Sequence, residues 1–134
     1  MILVIQSNIA GRLDIWGVHP AKKMIHLSRR VRWHGSERLL PLVQQALKDQ
    51  RVSPNQIDHI VVAVGPGPFT AVRTGIIVAN TLGWMLNIPV KGVVAPERWD
   101  QEDIARLSQA QTLKTFRPVR PAYGREPNIT RSKR

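Results

Sequence analysis

Apolar residues open the chain in an unbroken run, Met1 to Ile5, which closes at polar Gln6-Ser7-Asn8 and then Gly11. Such a run bounded by turn residues predicts a buried strand. Arg12 to Val18 alternates in part, with Leu13, Ile15 and Gly17 on one face, and His19-Pro20 breaks it. Lys23 to Trp33 alternates again, Met24, His26 and Ser28 opposing Ile25, Leu27 and Arg29. Three strands joined by short polar turns predict an antiparallel meander, its Arg-rich third member an edge where positive charge discourages pairing with other chains.

The period then changes. Leu39, Leu40, Val43, Ala46 and Leu47 recur at spacings of three and four, predicting an amphipathic helix over 37–50. Ser36 is its expected N-cap, and Pro41 sits early, where a missing amide costs least. Ser53-Pro54 predicts a short helical turn through Ile57. His59 to Val64 is apolar at alternate and intervening positions alike, a strand expected to be covered on both faces. Gly65-Pro66-Gly67-Pro68-Phe69-Thr70 is a stiff turn into a helix over 71–86, which Asn87-Ile88-Pro89 ends. Val90 to Val94 is a fifth strand, Asp100 or a neighbour starts a last helix through Ala110, and the chain from Phe116 onward is expected to be extended or irregular.

The length of 134 residues suits one core. No apolar stretch approaches the roughly 18 residues of a membrane span, and the N-terminus has no basic leader, so a soluble cytoplasmic domain is expected. There are no cysteines, and the four histidines (His19, His26, His34, His59) are scattered, so neither a thiolate site nor a metal centre is expected. With 20 Lys+Arg against 9 Asp+Glu the formal charge is +11. Between Phe116 and Arg134 stand six basic residues and one acidic. A basic tail on a basic domain attracts polyanions, or is simply a solvated terminus.

Three places offer candidate chemistry. Glycines in the turn, Gly65 and Gly67, would let backbone approach a ligand, the helix start offers amides to an anion, and Thr70 and Arg73 stand beside them. The same turn also reads as a tight strand-to-helix connection with Thr70 as plain N-cap. In the helix that follows, Gly75, Ala79 and Gly83 form a stripe of small residues, while Ile76, Ile77, Val78, Leu82, Trp84, Met85 and Leu86 make it apolar on nearly every side. Such a helix needs cover on two sides, by the sheet and by a partner surface or the 37–50 helix. Gln6-Ser7-Asn8, at the end of the first strand, has no carboxylate to hold magnesium and no base for Ser7. Asp14 is expected to point outward, and no two acids form an acid/base couple, so the residues give little support to an enzyme.

Ile2-Leu3-Val4-Ile5-Gln6-Ser7-Asn8, Leu39-Leu40-Pro41-Leu42-Val43 and above all Gly65-Pro66-Gly67-Pro68-Phe69-Thr70-Ala71-Val72-Arg73-Thr74-Gly75-Ile76 resemble the TsaB (YeaZ) family, as does the end, Arg117-Pro118-Val119-Arg120-Pro121-Ala122-Tyr123-Gly124-Arg125. The family's turn usually reads G-P-G-S-F-T-G-x-R-x-G, from which Pro68 and Ala71 depart, and its first strand commonly ends I-D-T-S, where Gln6 replaces the acid. The resemblance implies an α/β fold: a single actin/Hsp70-like (ribonuclease H-like) lobe, its mixed five-stranded sheet in the order 3-2-1-4-5, with the second lobe missing. It divides the chain into a lobe (1–95), a short helical remnant (96–115) and a basic tail (116–134).

TsaB is a non-catalytic subunit of the tRNA threonylcarbamoyladenosine system. It binds TsaD, which transfers the threonylcarbamoyl group, and TsaE joins as an ATPase. Carried over, the resemblance implies no cofactor and docking on TsaD through Leu40, Val43, Leu47, Gly75, Ile77, Ala79, Leu82, Gly83 and Trp84. Ala79→Arg or Gly83→Arg is then expected to abolish the complex in a folded chain. A homodimer through the same helices is a further arrangement, and Arg117, Arg120, Arg125, Arg131, Lys133 and Arg134 are candidate tRNA contacts. The rival readings are a stand-alone RNA-binding module and a small actin-like enzyme with nucleotide phosphate on the 65–70 turn.

Overall fold

A computed structural model describes residues 1–32, 36–109 and 115–122. Its elements run β1 (Ile2–Gln6), β2 (Arg12–His19), β3 (Lys22–Arg30), α1 (Ser36–Gln50), a single 3-10 turn (Pro54–Gln56), β4 (His59–Gly65), α2 (Phe69–Leu86), β5 (Val90–Val94) and α3 (Gln101–Gln109). The sheet order is β3-β2-β1-β4-β5. β1 to β3 form the expected antiparallel meander, Val4 opposite Trp16 and Trp16 opposite His26, while β4 and β5 run parallel to β1. This is the α/β fold and strand order that the resemblance implies.

Boundaries moved by a few residues. β3 ends at Arg30, and its expected extension to Trp33 runs into residues outside those described. α1 already includes Ser36, which makes Pro41 its sixth residue. The proline therefore lies past the four amides that a helix start leaves free, and the bond it would have donated to Glu37 is lost.

Each face of the sheet buries its own cluster. On one side Leu3, Ile5, Leu13, Ile15, Ile60 and Val62 meet Leu39, Val43 and Ala46 of α1 and Val72, Ile76 and Ala79 of α2. α1 lies over β2 and β3, α2 over β4 and β1, and the two helices touch. Gln50 ties the end of α1 to the meander, its amide donating to the carbonyls of Gly17 (2.9 Å) and Lys23 (3.0 Å). On the opposite face Val4, Trp16 and Val61 pack on Ile104 of α3, with Trp99 and Leu107 at the margin. A second covered face is what the unbroken apolar runs of β1 and β4 require.

The start of α3 is a reciprocal pair: Asp103 N–H donates to the Asp100 carboxylate (2.9 Å) and Asp100 N–H to that of Asp103 (2.8 Å). Residues 116–122 return to the α1/α2 side, where Phe116, Val119 and Ala122 pack on the core. The first part of the expected tail is thus a docked strap.

Candidate functional site

The three polar residues that end β1 all hold backbone. Gln6, fully buried, donates from Nε2 to Glu97 O (3.0 Å) and accepts from Trp99 N–H at Oε1 (2.8 Å). Ser7 Oγ donates to Ala71 O (2.7 Å), and Asn8 Nδ2 donates to Pro66 O (2.8 Å) and Ala95 O (2.6 Å). Gln6 works because an amide is donor and acceptor at once, whereas a carboxylate is acceptor only and, as Asp, one methylene shorter. Gln6→Asp is therefore expected to lose about 1–3 kcal/mol in a urea unfolding titration, through an unsatisfied buried carbonyl and a charge beside it. An unchanged midpoint would show that this clasp is not needed.

The 65–70 turn folds inward. Gly67 adopts φ 158° and lies so close to the Asn8 backbone that any side chain there would collide with it. Its close approach serves the chain itself, while Gly65, also buried, accepts from Ala95 N–H at 2.8 Å. Thr70 is not the N-cap: α2 starts at Phe69, its N-cap is Pro68, and no side chain caps it. Proline presets the backbone before the helix but has no side-chain acceptor to offer. Thr70 and Arg73 are exposed on the first turns of α2. Beside them a cavity of about 340 Å³ opens toward the β1–β2 turn, lined by Ser7, Gly11, Arg12, Phe69, Thr70 and Thr74 among others. Among the described residues no group of three or more His, Cys, Asp or Glu is placed to hold a metal ion.

Asp14 does not point outward. It is 1% exposed, paired in two bonds of 2.9 Å with Nε and Nη2 of Arg98, and 2.8 Å from Nε2 of His26, whose ring stacks on Trp16 with centroids 3.6 Å apart. Burial alone would push its pKa up. The bonds from Arg98, His26 and Ser28, with the Arg98 charge, outweigh burial and hold it below the usual 3.8. The available signal was Trp16 and Val18, apolar on Asp14's own face of β2, which implied a cover there.

The small-residue stripe of α2 also faces inward. Gly75 meets Ser7, and a side chain at Gly83 would come within 2.8 Å of the Phe116 ring. Ala79, Val43 and Leu47 are buried as well, and Leu82 is half-buried. Of the residues expected to meet a partner, those outside are Leu40 (49% exposed), Ile77 (56%) and Trp84 (72%), and Met85 (66%) joins them. Arg117 and Arg120 are exposed on the strap, while Arg125, Arg131, Lys133 and Arg134 lie outside the described residues.

The family described as "TsaD: tRNA N6-adenosine threonylcarbamoyltransferase" matches residues 18–96, more than half of the chain. Over 62 residues the chain is 44% identical to the tRNA threonylcarbamoyladenosine biosynthesis protein TsaB of Bacillus subtilis, covering 46% of this chain and 27% of that protein. It is 26% identical over 76 residues to the protein of the same name from Buchnera aphidicola, covering 57% and 36%. The solved structure of YeaZ from Pseudomonas aeruginosa superposes with a TM-score of 0.66 at 27% identity, over 69% of this chain and 43% of that one. The chain belongs to the TsaB (YeaZ) branch of this family.

It spans about a quarter to a third of the length of these two curated TsaB relatives. Two departures from the TsaB pattern have local reasons. Gln6, in place of the acid, is the clasp that starts the path from β5 to α3, and Pro68 occupies the N-cap. No helix among the described residues is long and apolar enough to cross a membrane.

Proposed function

We propose that this TsaB-family chain is a non-catalytic subunit of tRNA threonylcarbamoyladenosine biosynthesis that docks on TsaD through the outer face of α2 and the adjoining part of α1. The observation that carries the reading is the concentration of exposed large apolar side chains, Ile77, Trp84 and Met85, on one helix, with Leu40 on the helix beside it. Ile77 precedes Trp84 and Met85 by two helical turns, so the three share a stripe. Exposed large apolar side chains grouped on one helix face mark an interaction site.

The chemistry of the polar side chains supports a scaffold over a catalyst. Gln6, Ser7 and Asn8 each donate to the chain's own backbone, and Asp14 is committed to Arg98 and His26. In this reading the lobe of residues 1–95 carries the docking surface, and α3 covers the far side of its sheet. The names of the relatives support the pathway, and TsaD is the partner that the resemblance to TsaB implies.

Size-exclusion chromatography with light scattering tests the reading, on the chain alone and mixed with TsaD from the same organism. A stable complex of the two is expected. A self-dimer that ignores TsaD contradicts it.

A further inference from the structure

The strap of residues 116–122 lies along one border of the α2 docking stripe. Asn80 holds it at two points: its Nδ2 donates to Val119 O (3.1 Å), and its Oδ1 accepts from Val119 N–H (2.9 Å). One turn further along α2 the Phe116 ring sits over Gly83, and Val119 packs against Gly92 of β5. The strap therefore runs antiparallel to α2, with Phe116 and Val119 turned inward and Arg117 and Arg120 exposed.

Asn80 stands three residues after Ile77 and four before Trp84, and side chains at those spacings are neighbours on a helix. Arg73, exposed one turn before Ile77, lies on the same flank. Neither α2 nor residues 115–122 contain an acidic residue, and among the described residues no ion pair engages Arg73, Arg117 or Arg120.

We propose that the strap is part of the docking face: Asn80 fixes it so that Arg117 and Arg120, with Arg73, form a basic rim on the Ile77/Trp84 side, and the partner is a protein whose apolar helical surface carries carboxylates opposite that rim. The inference rests on the docking reading above and adds what recognises the partner. Charge complementarity selects this occupant. A second copy would bring the same rim and the same +11 to the contact, and long-range repulsion opposes that association. A nucleic acid would satisfy the arginines but leave Ile77 and Met85 without apolar cover.

The test measures the affinity of the full chain for TsaD at about 50 mM and about 0.5 M salt, where surface charge is respectively felt and largely screened. The variants are R117E/R120E, Asn80→Ala, Trp84→Ala, and the control Lys23→Glu/Arg106→Glu. That control makes the same change in net charge on the edge strand β3 and on α3, away from α2. Reversal at Arg117 and Arg120 is expected to weaken binding about tenfold at low salt, with most of the difference gone at high salt. Asn80→Ala should do the same more weakly, and the control little.

Trp84→Ala should weaken binding at both salt concentrations. If Trp84→Ala weakens binding while R117E/R120E matches wild type or the control, the basic rim is wrong and the docking face stands. Indifference to all of them overturns both. Loss of tRNA binding alone on charge reversal assigns the arginines to RNA and overturns the proposal. R117Q/R120Q, with a melt matching wild type, replaces the reversal if that variant does not fold.

Discussion

Ala79→Arg will not fold to the native state. Ala79 is fully buried in the cluster between α2 and the sheet, on the same side of the helix as Val72, Ile76 and Gly83. A guanidinium there has no carboxylate within the cluster and no short route to water, because the neighbouring turns are packed as closely. Burying an unpaired charge costs several kcal/mol, and overfilling the contact adds about 1–3. Their sum is a large part of the roughly 5–15 kcal/mol that holds a domain together. A thermal melt followed by circular dichroism should show no cooperative transition. A melt within a few degrees of wild type would mean that this side of α2 does not face the sheet. The substitution that the small-residue stripe suggested as a docking probe is thus a folding probe.

Arg98→Ala should be the most damaging change among the exposed and half-exposed arginines. It leaves Asp14 buried without its guanidinium, with His26 beside it, and it releases the 96–100 segment from β2. Removing one member of a fully buried pair costs about 3–5 kcal/mol. Because the Arg98 side chain is 38% exposed and partly screened, about 2–3 kcal/mol is expected, or a fall in Tm of roughly 5–12 °C.

Acid titration separates this from a generic surface effect. The folded pKa of Asp14 is depressed, so its contribution is fully present above the unfolded value near 3.8 and is lost as pH falls through the lower folded value. In Arg98→Ala burial is less well opposed, the folded pKa moves back up, and that part of the acid destabilisation shrinks. Equal slopes of stability against pH below 4 in both proteins would contradict the assignment.

How much of this was readable in advance differs from element to element. The meander, the unbroken strand β4, the stiff turn and the two long helices follow from local period and turn chemistry, and the structure moves their ends by only a few residues. The rotation of α2 was not readable, because a helix apolar on almost every side carries little directional signal. Its setting is decided by what Gly75 and Gly83 meet, Ser7 and Phe116, which are distant in sequence.

Asp14 was misplaced for a related reason. A carboxylate in an alternating strand reads as solvent-facing, and the partner that permits its burial, Arg98, comes 84 residues later. The strap was hidden by its own composition, since two prolines and two arginines between Phe116 and Ala122 resemble a tail until Asn80 binds their backbone. The glycines of the 65–70 turn were recognised, but the backbone that Gly67 approaches is that of Asn8.

If the outer stripe of α2 docks TsaD, calorimetric titration of TsaD with the double variant Ile77→Asp/Trp84→Asp will register the loss of that contact. Both side chains are more than half exposed, so the variant should melt like wild type. Two carboxylates in the centre of an apolar contact should weaken binding about a hundredfold or more. Wild-type affinity in a folded double variant would contradict the account.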